Sequence, residues 1–148
     1  MVFWRILGSN FLAKQNNTFC RYLNRVMNSC FINDECYIPR SISLPHGQVV
    51  IGKAKIGENV TIFQNTTLGA KGMRDEELTS DSFPTIEDNV TIYANCMIIG
   101  GITIGKNSII GAGTFIDKDI PPNKIVYNKR VLVMKENDRK IKIQNRIK

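Results

Sequence analysis

The 148-residue sequence predicts an all-β solenoid, a coil of short parallel strands preceded by a short helical segment. Three observations carry this. Beginning at Ile38 an aliphatic residue recurs every six positions, at Leu44, Val50, Ile56, Ile62 and Leu68, and, after an interruption, at Ile86, Ile92, Ile98, Ile104, Ile110 and Ile116. Three residues behind members of this series stand Gly47, Asn59, Asn65, Asn89, Asn95, Gly101, Asn107, Gly113 and Asp119, types that tolerate positive φ or start tight turns. Two residues ahead stand Ala54, Val60, Thr66, Val90, Cys96 and Thr114, suited to filling the remaining inward sites. A plain strand repeats every two residues, and a helix would have to absorb glycine, asparagine and β-branched residues at every turn. Each hexad therefore reads as a short strand plus a corner, with its aliphatic residue pointing to the axis.

The elements follow in chain order. Residues 1–37 are expected to form an N-terminal helical cap. Phe3, Trp4, Leu7 and Phe11 suggest a first, weak helix; Phe19, Tyr22, Leu23, Val26, Met27 and Cys30 fall on one helical face, with Asn17 or Thr18 as N-cap. Solenoids need covered ends, so capping or subunit packing is the expected role, ahead of lying in a membrane interface. The solenoid spans residues 38–126. Residues 70–85, AKGMRDEELTSDSFPT, lack hexad aliphatics and predict a loop thrown out from one corner. Ile120-Pro121-Pro122 marks the end of the repeat, because prolines supply no ladder donors. Residues 127–148 form a basic tail.

Length and composition, 43% hydrophobic and 22% charged, fit one folded domain. The net charge of +7 is uneven: +3 over residues 1–40, −3 over 41–120 and +7 over 121–148. The tail suits a polyanion without choosing among nucleic acid, anionic lipid and a small molecule. Cys20, Cys30, Cys36 and Cys96 form no CxxC pair, and with the single histidine, His46, no zinc set can be assembled, so no metal is expected. A reduced, cytoplasmic protein is expected, with no stretch resembling a signal peptide or a membrane span.

The hexads resemble those of the hexapeptide-repeat acyltransferases, and the stretch IPRSISLPHGQVVIGKAKIGENVTIFQNTTLG is similar to the serine acetyltransferase branch, including the O-acetyltransferases of bacterial surface sugars. The resemblance implies a left-handed parallel β-helix of about four turns, direct transfer from acetyl-CoA, and a homotrimer with its active site between neighbours. Handedness comes from the resemblance alone. It also makes His46 the general base. An alcohol must lose its proton as it attacks a thioester, and an imidazole can take that proton and hand it to the leaving thiolate. In serine acetyltransferases an upstream aspartate holds this histidine; here Cys36 or Tyr37 falls nearest that place, leaving Asp34 and Glu35 as candidates. Cys96, at an inward repeat position, reads as core rather than nucleophile.

The segments VTIYANCMIIGGITIG and IIGAGTFIDKDIPP resemble the family's acetyl-CoA walls, which implies Ala94, Gly100, Gly101, Ala112, Gly113 and Lys118 as contacts, with Lys129 and Arg130 available to phosphates. Two departures bear on the acceptor. Ser82 and Phe83 precede Pro84 where serine acetyltransferases carry an Arg-His pair, and the 37 residues before the repeat cannot supply their long helical domain. A saccharide hydroxyl is thereby favoured, with Phe83 stacking on the ring. Serine O-acetylation is the alternative enzyme reading, and a noncatalytic polyanion-binding scaffold the alternative of another class.

Overall fold

The computed structural model describes residues 9–72 and 78–129. Among these residues two helices, α1 (Ser9–Ala13) and α2 (Thr18–Asn28), precede β1 (Phe31–Ile32) and β2 (Val50–Ile51). Then come β3 (Lys55–Ile56), β4 (Thr61–Ile62), β5 (Thr67–Gly69), β6 (Thr85–Ile86), β7 (Thr91–Ile92) and β8 (Met97–Ile99). The chain continues through β9 (Thr103–Ile104), β10 (Ile109–Ile110), β11 (Phe115–Ile116) and β12 (Ile125–Val126). Every strand pairs in parallel, and three sheets result. The first face orders β1-β2-β5-β8-β11, the second β4-β7-β10-β12 and the third β3-β6-β9. The chain visits the third, second and first faces in turn, as one strand per hexad requires.

The hexad aliphatics form the core. Ile38, Leu44, Ile62, Leu68, Ile86, Ile92, Ile98, Ile104, Ile110 and Ile116 are all buried, and Ile56 is partly so. Full burial of such a side chain contributes roughly 1.5–3 kcal/mol. All six small inward residues are buried with them. At the corners, Asn59, Asn65, Asn89, Asn95 and Asn107 adopt φ between 56° and 61°, with Gly47 at 65° and Gly113 at 68°. Their side chains add a second ladder: Asn59 donates to Asn89, Asn89 to Asn107 and Asn107 to Asn123, at 3.3, 3.2 and 2.9 Å.

Four details differ from the sequence expectation. Val50 points outward, 44% exposed, and Ile51 takes the inward place opposite Leu68. The corner before it contains two consecutive left-handed residues, Gly47 and Gln48, and so uses one residue more. Gly101 and Asp119 are not left-handed: Gly100 makes that turn at φ 105°, and the Asp119 carboxylate instead accepts from the Thr103 N–H at 2.7 Å. The repeat also outlasts its prolines. Ile120 bridges Ile104, and β12 pairs with β10 beyond Pro121-Pro122. The prolines make a corner, where no ladder donor is needed.

The fourth difference concerns α2. Asn17 caps it as expected, accepting from the Cys20 N–H at 2.8 Å, but the helix buries its polar side. Arg21 is 6% and Asn24 0% exposed, whereas Phe19 is 70% and Val26 63% exposed. Arg21 donates to the carbonyls of Asn33 and Cys36, the latter at 2.5 Å, and to Asn16 Oδ1 at 3.1 Å. The turn at 33–36 leaves carbonyls without strand partners, and a guanidinium answers several of them at once. Phe3, Trp4 and Leu7 lie outside the described residues. Among the described residues no helix is long and apolar enough to cross a membrane.

Candidate active site

His46 stands on the first corner of the edge joining the second face to the first. Pro45 and left-handed Gly47 flank it, and its side chain is exposed. Successive coils bring Phe63, Tyr93, Gly111 and Tyr127 to the same edge, since Phe63, Tyr93 and Gly111 donate in turn to the carbonyls of Ile92, Ile110 and Val126. The His46 and Phe63 ring centroids are 6.1 Å apart and tilted by 41°. Phe63 and Tyr93 stack at 5.2 Å and 13°. Beside them, Gln64 Oε1 is buried with no hydrogen-bond partner among the described residues.

The residues singled out from the sequence divide between two edges. Ala94, Ala112 and Gly113 share the edge of His46, higher along the coil; the Gly113 N–H donates to Ala94 O at 2.9 Å. Asp34, Glu35, Phe83, Gly100, Gly101 and Lys118 belong instead to the edge joining the first face to the third, since each follows a first-face strand or lies in the loop after β5. The acidic candidates are thus not brought to His46 within one chain. Glu35 pairs with Lys53 at 2.9 Å, and Asp34 borders a hollow with Arg21 and Arg25 under α2. Among the described residues His46 has no hydrogen-bond partner. Arg130 lies outside the described residues, and Lys129 is exposed at their end.

The loop is seated where it returns to the edge between the first and third faces. Its described end forms a short 3-10 turn, Ser80–Ser82, and Asp81 pairs with Lys55 at 3.1 Å. The Phe83 ring lies over Gly52, where any Cβ would strike it, and Gly101 gives the same close passage to the Asp81 carbonyl. Phe83 is therefore half-buried by its own chain.

The cysteines are core residues. Burial pushes the thiols of Cys30 and Cys36 up to about 11 and also raises that of Cys96, whose Sγ donates to Gly111 O at 3.2 Å. These thiols stay protonated near neutral pH, unlike a nucleophilic cysteine. An open groove of about 570 Å³, flanked by Lys55, Asp88 and Lys106, lies on the third face, opposite the His46 edge. Among the described residues no group of three or more His, Cys, Asp or Glu side chains is gathered as a metal site.

Phe63 and Tyr93 were not singled out from the sequence. The readable signal is that both directly follow a hexad isoleucine, Ile62 and Ile92, whose pairing on one face sets the two rings one coil apart, within stacking distance.

Comparison with known proteins matches residues 83–118 to the bacterial transferase hexapeptide (six repeats). A serine acetyltransferase of Bacillus pumilus is 36% identical over 133 residues, covering 88% of this chain and 58% of the relative. A galactoside O-acetyltransferase of Escherichia coli is 45% identical over 91 residues, covering 57% of this chain and 45% of the relative. Among solved structures, serine acetyltransferase of Neisseria gonorrhoeae in complex with serine superposes with a TM-score of 0.63 at 30% identity, covering 82% of this chain and 50% of that one. The Vibrio cholerae enzyme gives 0.68 at 30%, covering 84% and 48%. The chain thus spans a little over half the length of the curated relatives it matches first. The repeat and these neighbours imply a left-handed winding for the β-helix.

Proposed function

Because the chain belongs to the hexapeptide-repeat transferases, we propose that it is an acetyl-CoA-dependent O-acetyltransferase with His46 as general base. The observation that carries this is an exposed histidine at the foot of an edge whose higher coils carry Ala94, Ala112 and Gly113. Small residues there let a thin pantetheine arm approach the backbone. In the reaction, the acceptor oxygen attacks the thioester carbonyl while the imidazole takes its proton. The new C–O bond forms, the C–S bond breaks, and the proton passes to the departing thiolate. Residues 1–37 act as a cap, 38–126 as a β-helix of about four turns, and 127–148 as a basic tail. Four unpaired cysteines favour action in the cytoplasm.

Of the two acceptors, free serine is better supported by the relatives: the Bacillus pumilus serine acetyltransferase aligns over 88% of the chain, the galactoside enzyme over 57%. The saccharide reading, placed first from the sequence, keeps one specific observation. Ser82 and Phe83 stand where the serine branch carries an Arg-His pair, leaving no guanidinium there for a carboxylate. A thiol-release assay with acetyl-CoA separates them. Turnover with serine alone selects the first, turnover with a member of a saccharide panel selects the second, and none with either rejects the enzyme reading.

A threefold assembly would unite the two half-sites. A heterologous contact pairs different surfaces and closes into a ring when the rotation is right, so the His46 edge of one copy can meet the Phe83 and Lys118 edge of the next. The first face supports this packing. Phe31, Val50, Met97 and Phe115 lie in register on its outer side, interrupted by Thr67, and all four are exposed. The outward side of α2 adds Phe19, Tyr22, Val26 and Met27. Met97→Asp is expected to reduce the mass measured by light scattering from three chains to fewer; an unchanged mass would remove this face from the interface.

A further inference from the structure

The backbone of His46 is held on both sides. Pro45 precedes it, the left-handed Gly47 and Gln48 follow it, and the Gln48 N–H donates to Asn28 O at 3.1 Å, tying the corner to the end of α2. The imidazole has no such hold: it lacks a hydrogen-bond partner among the described residues, and both acidic candidates stand on another edge. There Glu35 pairs with Lys53, and Asp34 borders the hollow with Arg21 and Arg25. The aromatic neighbour of the imidazole is Phe63, with centroids 6.1 Å apart and planes tilted by 41°. Phe63 is half-buried, and its N–H donates to Ile92 O at 2.9 Å. Its ring stacks at 5.2 Å and 13° on Tyr93, whose N–H donates to Ile110 O at 2.9 Å. The ring beside the histidine is thus itself fixed, by two rungs of strand pairing and by a second ring.

We propose that Phe63, backed by Tyr93, is the positioning residue for the His46 imidazole, orienting by ring packing what a carboxylate would orient by a hydrogen bond; this rests on His46 being the general base. Tilted ring pairs attract at centroid separations of about 4.5–7 Å, and the His46–Phe63 pair lies inside that range. An exposed histidine otherwise samples several rotamers, and a base is effective only in the orientation that meets the acceptor hydroxyl. A fixed neighbouring ring narrows that sampling. Packing also engages neither ring nitrogen, so one remains open to take the acceptor's proton and pass it to the departing thiolate. A leucine at residue 63 would keep apolar bulk without a flat ring, so the proposal depends on residue type and not on volume alone.

His46 is the only histidine in the chain, so the imidazole proton resonances of the full-length protein belong to it. They should carry a ring-current shift that Phe63→Leu abolishes and Phe63→Tyr retains. In the thiol-release assay Phe63→Leu should lower kcat roughly three- to tenfold, with CoA affinity and the acceptor KM unchanged, and Phe63→Tyr should restore the rate. Tyr93→Leu, at a more exposed position, should give a smaller fall in the same direction, so the test does not depend on Phe63→Leu folding. Identical imidazole resonances in wild type and Phe63→Leu, or an unchanged kcat, overturn the proposal. Weaker CoA binding or a higher KM at full kcat overturns it too, by making the ring a ligand surface. So does a larger fall in kcat for Asp34→Asn, Glu35→Gln or Gln64→Leu than for Phe63→Leu, which would give the imidazole a hydrogen-bonded hold instead. Full turnover in His46→Ala removes the base and this role with it; a slow His46→Ala beside a full-rate Phe63→Leu removes this role alone.

Discussion

His46→Ala is expected to lower the turnover of acetyl-CoA with its acceptor by about 10²- to 10⁴-fold, the usual contribution of a positioned general base. The side chain is exposed, has the Phe63 ring as its aromatic neighbour, and lies outside the buried aliphatic stack. Its removal should therefore leave the melting temperature and CoA affinity nearly unchanged. His46→Asn, which keeps polarity but cannot accept the proton in the same way, should be as slow as alanine. The combination of lost turnover and retained CoA binding is the signature of a base. A fall in affinity and turnover together would make His46 a binding residue, and full activity in either variant would remove it from the chemistry.

The acidic partner expected for His46 is where the sequence is least informative. Asp34 and Glu35 are near His46 in number, yet the intervening residues take the chain from the edge after the first face to the edge before it, short of a full turn, so that the acids leave β1 at one side of that face and His46 enters β2 at the other. Sequence separation says little about proximity in a solenoid, because neighbours in space are about one turn apart. The same logic explains what was legible. Every inward residue is specified by its own hexad, so ten of the twelve aliphatic positions and all six small fillers could be read locally. Val50 misled because the corner at Gly47 and Gln48 holds an extra residue, and a one-residue slip turns a strand residue from core to solvent.

Helix α2 illustrates a different limit. Its apolar residues fall on one side with helical spacing, which ordinarily marks the side facing the core. Here that side faces outward because the solenoid end presents carbonyls of Asn33 and Cys36, and Arg21 answers them. An amphipathic pattern identifies two faces and leaves open which neighbour each one meets. The Phe63 and Tyr93 stack is less legible for a related reason: the hexad period specifies the inward aliphatics and sets no residue type for the positions just after them, at the edges.

The largest stability effect is expected from a pair of neighbours on one strand. In β10, Ile110 is fully buried and Ile109 points outward, 36% exposed. Ile110→Ala should destabilise the fold by about 2–5 kcal/mol, since a stack of aliphatics held above and below by hydrogen-bonded strands cannot collapse into the space left. Ile109→Ala should cost at most about 1 kcal/mol, in line with partly exposed positions. Chemical denaturation of both variants, read by the midpoint at constant slope, checks the contrast. Equal losses would mean that the outward side is also buried, as it would be if the second face packed against another copy, and that outcome would shift the proposed interface from the first face to the second. The comparison therefore tests the hexad as the unit of stability and the choice of interface together, and it does so without touching His46 or the loop.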